Sequence, residues 1–112
     1  MPENLFDPGD VMPEEYRSIL VQTPEVRIER IVSWGNTTAP NFWYDQEENE
    51  WITLLEGEGV IRGDDGEDVR LTRGKPFMIP AHWRHQVVKS SSPAIWLCVF
   101  FKHAGSDEED DA

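Results

Sequence analysis

Residues 50–71 read EWITLLEGEGVIRGDDGEDVRL and indicate the fold of the chain. An apolar run that opens with Glu50 meets the turn signal Glu56–Gly59, and Val60–Arg62 continues as an extended segment. The next four residues, Gly63-Asp64-Asp65-Gly66, are a hairpin turn of the Asp-Gly kind, after which Asp68–Leu71 returns. The stretch therefore predicts three short strands joined by tight turns.

The same pattern extends to both sides of this stretch. Upstream, Val26–Trp34 alternates between two faces until Gly35-Asn36, and the aromatic segment Asn41–Gln46 is long enough for a short strand. Downstream, three further strands are predicted at Phe77–Ile79, Trp83–Lys89 and Ala94–Phe101. About eight short strands with no long helix predict an all-β sandwich or closed barrel.

The two ends of the chain differ from this barrel, which we place at residues 25–103. Residues 1–24 form an N-terminal arm in which Pro13-Glu14-Glu15 is typical of a helix start, and Tyr16, Ile19 and Leu20 follow at helical spacing. A short helix up to about Val21 is therefore expected. Residues 104–112 carry five consecutive acids and are expected to be a solvated, disordered tail that includes no barrel residue.

Composition excludes several classes of function. The 112 residues make one domain, and 22 acidic against 10 basic residues give a net charge of −12, which disfavours nucleic acid and anionic membranes as partners. No apolar run approaches the roughly 20 residues that a membrane helix needs, and the N-terminus does not resemble a signal peptide. Cys98, the one cysteine, lies in an apolar run and is expected to be a buried, inert thiol. A soluble cytoplasmic protein is predicted.

Two spacings resemble the motifs of a known family. Glu50 is followed after six residues by Gly57, and Gly74 is followed after five residues by Pro80 and then by His85. These segments resemble the second half of the first cupin motif and most of the second cupin motif. The resemblance implies a double-stranded β-helix (jelly-roll) barrel, and cupins of this size are often dimers, so a homodimer is expected.

The resemblance also implies a divalent metal, which cupins usually hold with three His and one Glu. The two histidines of the first motif should fall at Tyr44 and Gln46, or at Trp43 and Asp45, and neither pair contains a histidine. In the second motif, His82 stands in the place of a glycine and Lys89 in the place of an asparagine. Only the Glu50 and His85 positions carry over intact.

The residues themselves support a site around Glu50. This carboxylate shares a strand face with Ile52 and Leu54, and burying it is costly unless it is paired or bound to a metal. His82 and His85 are three apart and would converge only if residues 80–82 form a turn. The predicted metal ligands, for Zn, Mn, Ni or Fe without distinction, are Glu50, His85, His82, Gln46 and Asp45.

Two functions remain open from the sequence. In the first, the ion acts on a small organic substrate as a Lewis acid or oxygen-binding centre. In the second, the barrel is a metal-free binding or sensor module that holds a small molecule between aromatic walls. The predicted pocket residues are Tyr44, Trp43, Trp83 and Arg84. Loss of the first-motif histidines favours the second function, whereas the presence of Glu50 and His85 favours the first.

Overall fold

A computed structural model describes residues 4–102, and every regular element in this part of the chain is a strand. No helix among these residues is long and apolar enough to cross a membrane. The acidic tail and His103 lie outside the described residues. The eight strands are β1 (Tyr16–Gln22), β2 (Val26–Ser33), β3 (Asn49–Glu56), β4 (Gly59–Gly63), β5 (Asp68–Leu71), β6 (Phe77–Ile79), β7 (His85–Ser90) and β8 (Ala94–Phe101).

The strands form two sheets that enclose one core. The larger sheet has the order β1-β2-β8-β3-β6 and the smaller one the order β5-β4-β7, with antiparallel pairing between all neighbours. The core draws its side chains from both sheets, for example Ile52 and Trp96 from the larger and Ile61 from the smaller. The all-β jelly-roll barrel predicted from the sequence is confirmed.

The short helix expected in the N-terminal arm is wrong. Residues Tyr16–Gln22 form the edge strand β1, which pairs with β2 in a register that runs from Tyr16 opposite Val32 to Gln22 opposite Arg27. A helix of two turns has few internal hydrogen bonds and little stability of its own. Pairing with β2 through the tight turn at Thr23 satisfies the same backbone groups in a larger sheet, and it therefore overrides the helical spacing.

Two glycines allow the sheets to approach closely where β3 turns into β4. Gly57 has φ = 86°, and a Cβ there would collide with the side chain of Ser91. Gly59 lies against the indole of Trp96, where a Cβ would come to 2.6 Å from the ring. Gly57, the glycine of the first-motif spacing, is thus required by the turn, and Gly59 is required by the packing of Trp96.

The arm that precedes β1 is attached to the outer surface of the larger sheet by Arg30. This residue is 2% exposed, and its guanidinium donates hydrogen bonds to the backbone carbonyls of Leu5 (3.0 Å) and Asp7. Burial lowers the pKa of Arg30. Residues 4–12 are therefore held through one buried cation.

The rest of that outer surface is apolar. Trp51 pairs with Val99 and Met78, and Val99 pairs with Ile28, so these side chains share the face opposite to Glu50. Met78 is 45% exposed, and the others are half-buried. The homodimer expected from the sequence stays a prediction.

Candidate functional site

The barrel contains a cavity of about 360 Å³. Its wall is mainly apolar and comes from both sheets: Ile31, Ile52, Ile61, Ile79, Val87, Trp96 and Phe100. Eleven polar residues of the described chain also line it: Tyr44, Gln46, Glu50 and His85, together with Glu14, Glu15, Arg17, Ser33, Asn36, Thr37 and Thr38. A concavity with apolar walls and polar groups that can orient a ligand is the usual form of a small-molecule site.

Glu50 is a buried carboxylate without an ion-pair partner among the described residues. It is the second residue of β3, lies opposite Ile79 and Phe100, and is 7% exposed. Burial raises its pKa from 4.5 to about 7, although the Cys98 thiol and the Gln46 amide act in the opposite direction. Gln46 Nε2 has no acceptor in hydrogen-bond geometry, so its effect on Glu50 is one of proximity. The carboxyl group can therefore be either neutral or ionised near pH 7.

His85 is held in one tautomer. It is the first residue of β7 and 4% exposed, and its Nδ1 lies 2.7 Å from the carbonyl oxygen of Trp83. A carbonyl only accepts, so Nδ1 carries the proton and Nε2 keeps a lone pair. Burial lowers the pKa of His85, which keeps the ring neutral at pH 7. The ring stacks between Tyr44 at 5.4 Å and Trp83 at 5.5 Å.

The structure decides which of the two candidate pairs faces the cavity. Tyr44 forms a bridge with His85, and both Tyr44 and Gln46 line the cavity with Glu50. Asp45 points the other way and bonds through Oδ1 to Nδ1 of His82 at 2.8 Å, where both side chains are about half exposed. The structure thus brings Glu50, His85, Gln46 and Tyr44 together and leaves Asp45 and His82 at the surface.

The other three predicted pocket residues do not line this cavity. Trp83 packs behind His85 and against Phe77, with ring centroids 5.8 Å apart in the latter pair. The guanidinium of Arg84 lies 5.9 Å from the ring centroid of Trp43, on the outside of the barrel. Trp83 supports the site from behind, while Arg84 and Trp43 form a separate surface pair.

His82 keeps the backbone of the glycine that it replaces in the motif. Its φ is 65°, a left-handed conformation that is uncommon for a side chain of this kind. The amide of Trp83 closes the turn by donating to the carbonyl of Pro80 at 3.2 Å, and the amide of His82 joins the turn to the carbonyl of Gln46 at 2.7 Å. This turn directs the imidazole of His82 outward, and so the two histidines do not converge.

Sequence reasoning missed two charged residues of this region. Arg17 lies at the solvent-exposed end of the cavity, and its Nε is 3.3 Å from Oε1 of Glu29, a carboxylate that is 3% exposed. Glu29 also pairs with Arg27, which in turn pairs with Glu48. The helix prediction concealed Arg17, whereas the alternation of β2 could have placed Glu29 on the inner face with Ile31.

The donor set does not make a complete metal site. Catalytic zinc sites use three protein ligands. Within residues 4–102, no group of three His, Cys, Asp or Glu side chains could hold one ion. Glu50 and His85 are the predicted ligands that line the cavity with a strong donor atom, and Gln46 adds a weak neutral amide.

Comparison with known proteins agrees with the fold and with the motifs. No curated protein matches the chain. A structure from Ralstonia eutropha JMP134, provisionally named a mannose-6-phosphate isomerase, is 31% identical, with a TM-score of 0.82 over 92% of this chain and 99% of that one. TT1209 from Thermus thermophilus is 24% identical (TM-score 0.72, 90% and 96% covered), and KdgF from Halomonas sp. is 21% identical (0.69, 86% and 87%), which shows a shared fold. The cupin domain family matches residues 31–100, and the chain belongs to that family.

Proposed function

We propose that the barrel binds one small organic molecule in its cavity, with Glu50 and His85 as the polar anchors. The observation that carries this proposal is the pair itself: two side chains that are 7% and 4% exposed face a mainly apolar cavity of about 360 Å³. Buried polar groups normally have hydrogen-bond partners. A ligand hydroxyl or N–H group would donate a hydrogen bond to the Nε2 lone pair of His85 or to the Glu50 carboxylate.

The pair also supports proton transfer to or from that ligand. The Glu50 carboxyl has a pKa of about 7 and can donate or accept at neutral pH, whereas the lone pair on His85 Nε2 accepts. A phosphosugar, as the provisional name of the Ralstonia protein suggests, suits this cavity poorly. Arg17 is the one arginine or lysine among its described lining residues, and it already lies beside Glu29 and Glu15.

Benzyl alcohol is a suitable neutral probe of the proposed cavity. Saturable chemical-shift changes are expected at Ile52 and Trp96 in an NMR titration, because both side chains line the cavity. Ile61→Phe should weaken binding roughly fivefold or more by filling the space, whereas Val99→Phe on the outer face should not. Shifts confined to the outer face, or binding undiminished by Ile61→Phe, would contradict the proposal.

A divalent ion is the second candidate, favoured by the orientation of His85. Metal-binding histidines commonly donate the other ring N–H to a carbonyl, as Nδ1 does here to Trp83. We expect the untagged protein to take up Zn²⁺, Mn²⁺, Ni²⁺ or Fe²⁺ weakly, since the described donors fall short of three strong ligands. Calorimetry should show at least a tenfold loss of affinity in His85→Ala and none in His82→Ala. The reverse order would locate the ion at the surface pair of His82 and Asp45.

A further inference from the structure

The polar lining of the cavity has an excess of negative charge. Its described acidic residues are Glu14, Glu15 and Glu50, and its one arginine or lysine in this part of the chain is Arg17. Arg17 is already compensated, because its guanidinium lies 3.3 Å from Glu29 and 4.0 Å from Glu15. An anionic ligand would therefore meet repulsion at the entrance and again at Glu50.

Glu50 is the acidic group inside the cavity that has no ion-pair partner among the described residues. Its side chain is more than nine-tenths buried, it faces the cavity, and no described Arg or Lys forms an ion pair with it. No described ion pair joins His85 to Glu50 either, and Nδ1 of His85 donates to the carbonyl oxygen of Trp83. A buried carboxylate is stabilised most by an opposite charge with hydrogen-bond donors. The described part of the chain places no such cation against Glu50, so a ligand can supply it.

The walls are also suited to a cation with an apolar body. Phe42, Tyr44, Trp96 and Phe100 present aromatic rings to the cavity. The guanidinium of Arg27 already covers one face of Phe100, at 4.2 Å from the ring centroid, so a ligand cation would contact the other rings. Aromatic faces attract cations most strongly where water is excluded.

We propose that the ligand of this cavity is a small organic cation, a protonated amine whose ammonium group binds Glu50 and whose apolar body packs against Ile52, Ile61 and Trp96. This inference rests on the proposed function, because it names the class of molecule that the same cavity takes. An ammonium group is a compact donor with three N–H bonds, and the Glu50 carboxylate can accept from it.

Three probes of nearly equal size separate charge from shape: benzylamine as the cation, benzyl alcohol as the neutral analogue and benzoate as the anion. Dissociation constants measured at pH 8 by NMR titration should show benzylamine at least tenfold tighter than benzyl alcohol, and benzoate weakest. Glu50→Gln should weaken benzylamine at least tenfold and change benzyl alcohol by less than about threefold. Glu56→Gln, an exposed acid at the end of the same strand, is the matched control and should change neither.

Each outcome bears on one of the two proposals. Benzyl alcohol that binds as tightly as benzylamine, or benzylamine that is unaffected by Glu50→Gln, would overturn the cation inference and leave the small-molecule cavity standing. Failure of all three probes to bind would overturn both. If Glu50→Gln did not fold, the double variant Glu14→Gln/Glu15→Gln, at the exposed end of the cavity, would test the inference instead. That pair should weaken benzylamine alone, and an equal loss for benzyl alcohol would count against the inference.

Discussion

At pH 8, the Glu50→Gln variant is expected to have a free energy of unfolding about 3 kcal/mol higher than that of the wild-type chain. The carboxyl group of Glu50 is 7% exposed, and burial raises its pKa from 4.5 to about 7 in the folded chain. The folded state therefore holds this proton more tightly than the unfolded state does. Between pH 4.5 and 7, wild-type stability falls as pH rises, and above pH 7 the loss is complete. Glutamine does not ionise, so the variant avoids the loss of stability that follows ionisation of a buried carboxyl group.

Urea denaturation of both proteins at pH 5 and pH 8 measures this difference. At pH 5, where most of the penalty is absent, the variant should gain less than about 1 kcal/mol. The control Glu56→Gln, at an exposed position, should have the same free energy of unfolding as the wild type at both pH values. A variant less stable than wild type at pH 8 would mean that Glu50 carries a bound cation through purification, either an ion or an organic ligand.

Loss of the buried Arg30 guanidinium should have an effect of similar size in the opposite direction. Arg30→Ala is expected to lower the free energy of unfolding by about 3 kcal/mol, because it removes a buried side chain and two charge-assisted hydrogen bonds. The carbonyls of Leu5 and Asp7 lose their donor, so the arm should detach from β2. Chymotrypsin should then cleave near Phe6 at a protease concentration at which the wild-type chain stays intact.

Two comparisons separate the arm from the barrel. Arg30→Met restores most of the volume without the donors, so it should release the arm but cost only about 1 kcal/mol. Arg62→Ala removes an exposed pair with Asp68, and its cost should stay below about 1 kcal/mol with the arm still protected. An arm that resists chymotrypsin in both Arg30 variants would show that Arg30 does not hold it.

Much of the fold could be predicted from local patterns. The Asp-Gly turn after β4 and the spacing from Glu50 to Gly57 depend on nearest-neighbour geometry, which a sequence states directly. The helix prediction for the N-terminal arm is wrong because a contact between distant segments decides the structure there. Residues 13–21 are compatible with the hydrophobic period of a helix and with that of a strand. The strand forms because β2 pairs with β1 along its whole length. No local pattern contains that partner.

The site was predictable to the same limit. Glu50 and His85 could be predicted because their spacings from Gly57 and Gly74 resemble the two cupin motifs. The choice between the two faces of residues 43–46 depended on the bridge from Tyr44 to His85, a contact between distant segments. The outward direction of His82 depended on one backbone angle, φ = 65°, which composition does not reveal.

Gly59 shows how a barrel of this kind can change the size of the ligand that it accepts without changing the polar side chains that bind the ligand. The indole of Trp96 forms part of the cavity wall and rests on the backbone of Gly59 in the opposite sheet. A single methyl group at this glycine would displace the ring, and the space available to a ligand would change, with Glu50 and His85 untouched. Selection for ligand size and selection for ligand charge therefore act on different residues, so the two preferences can evolve independently.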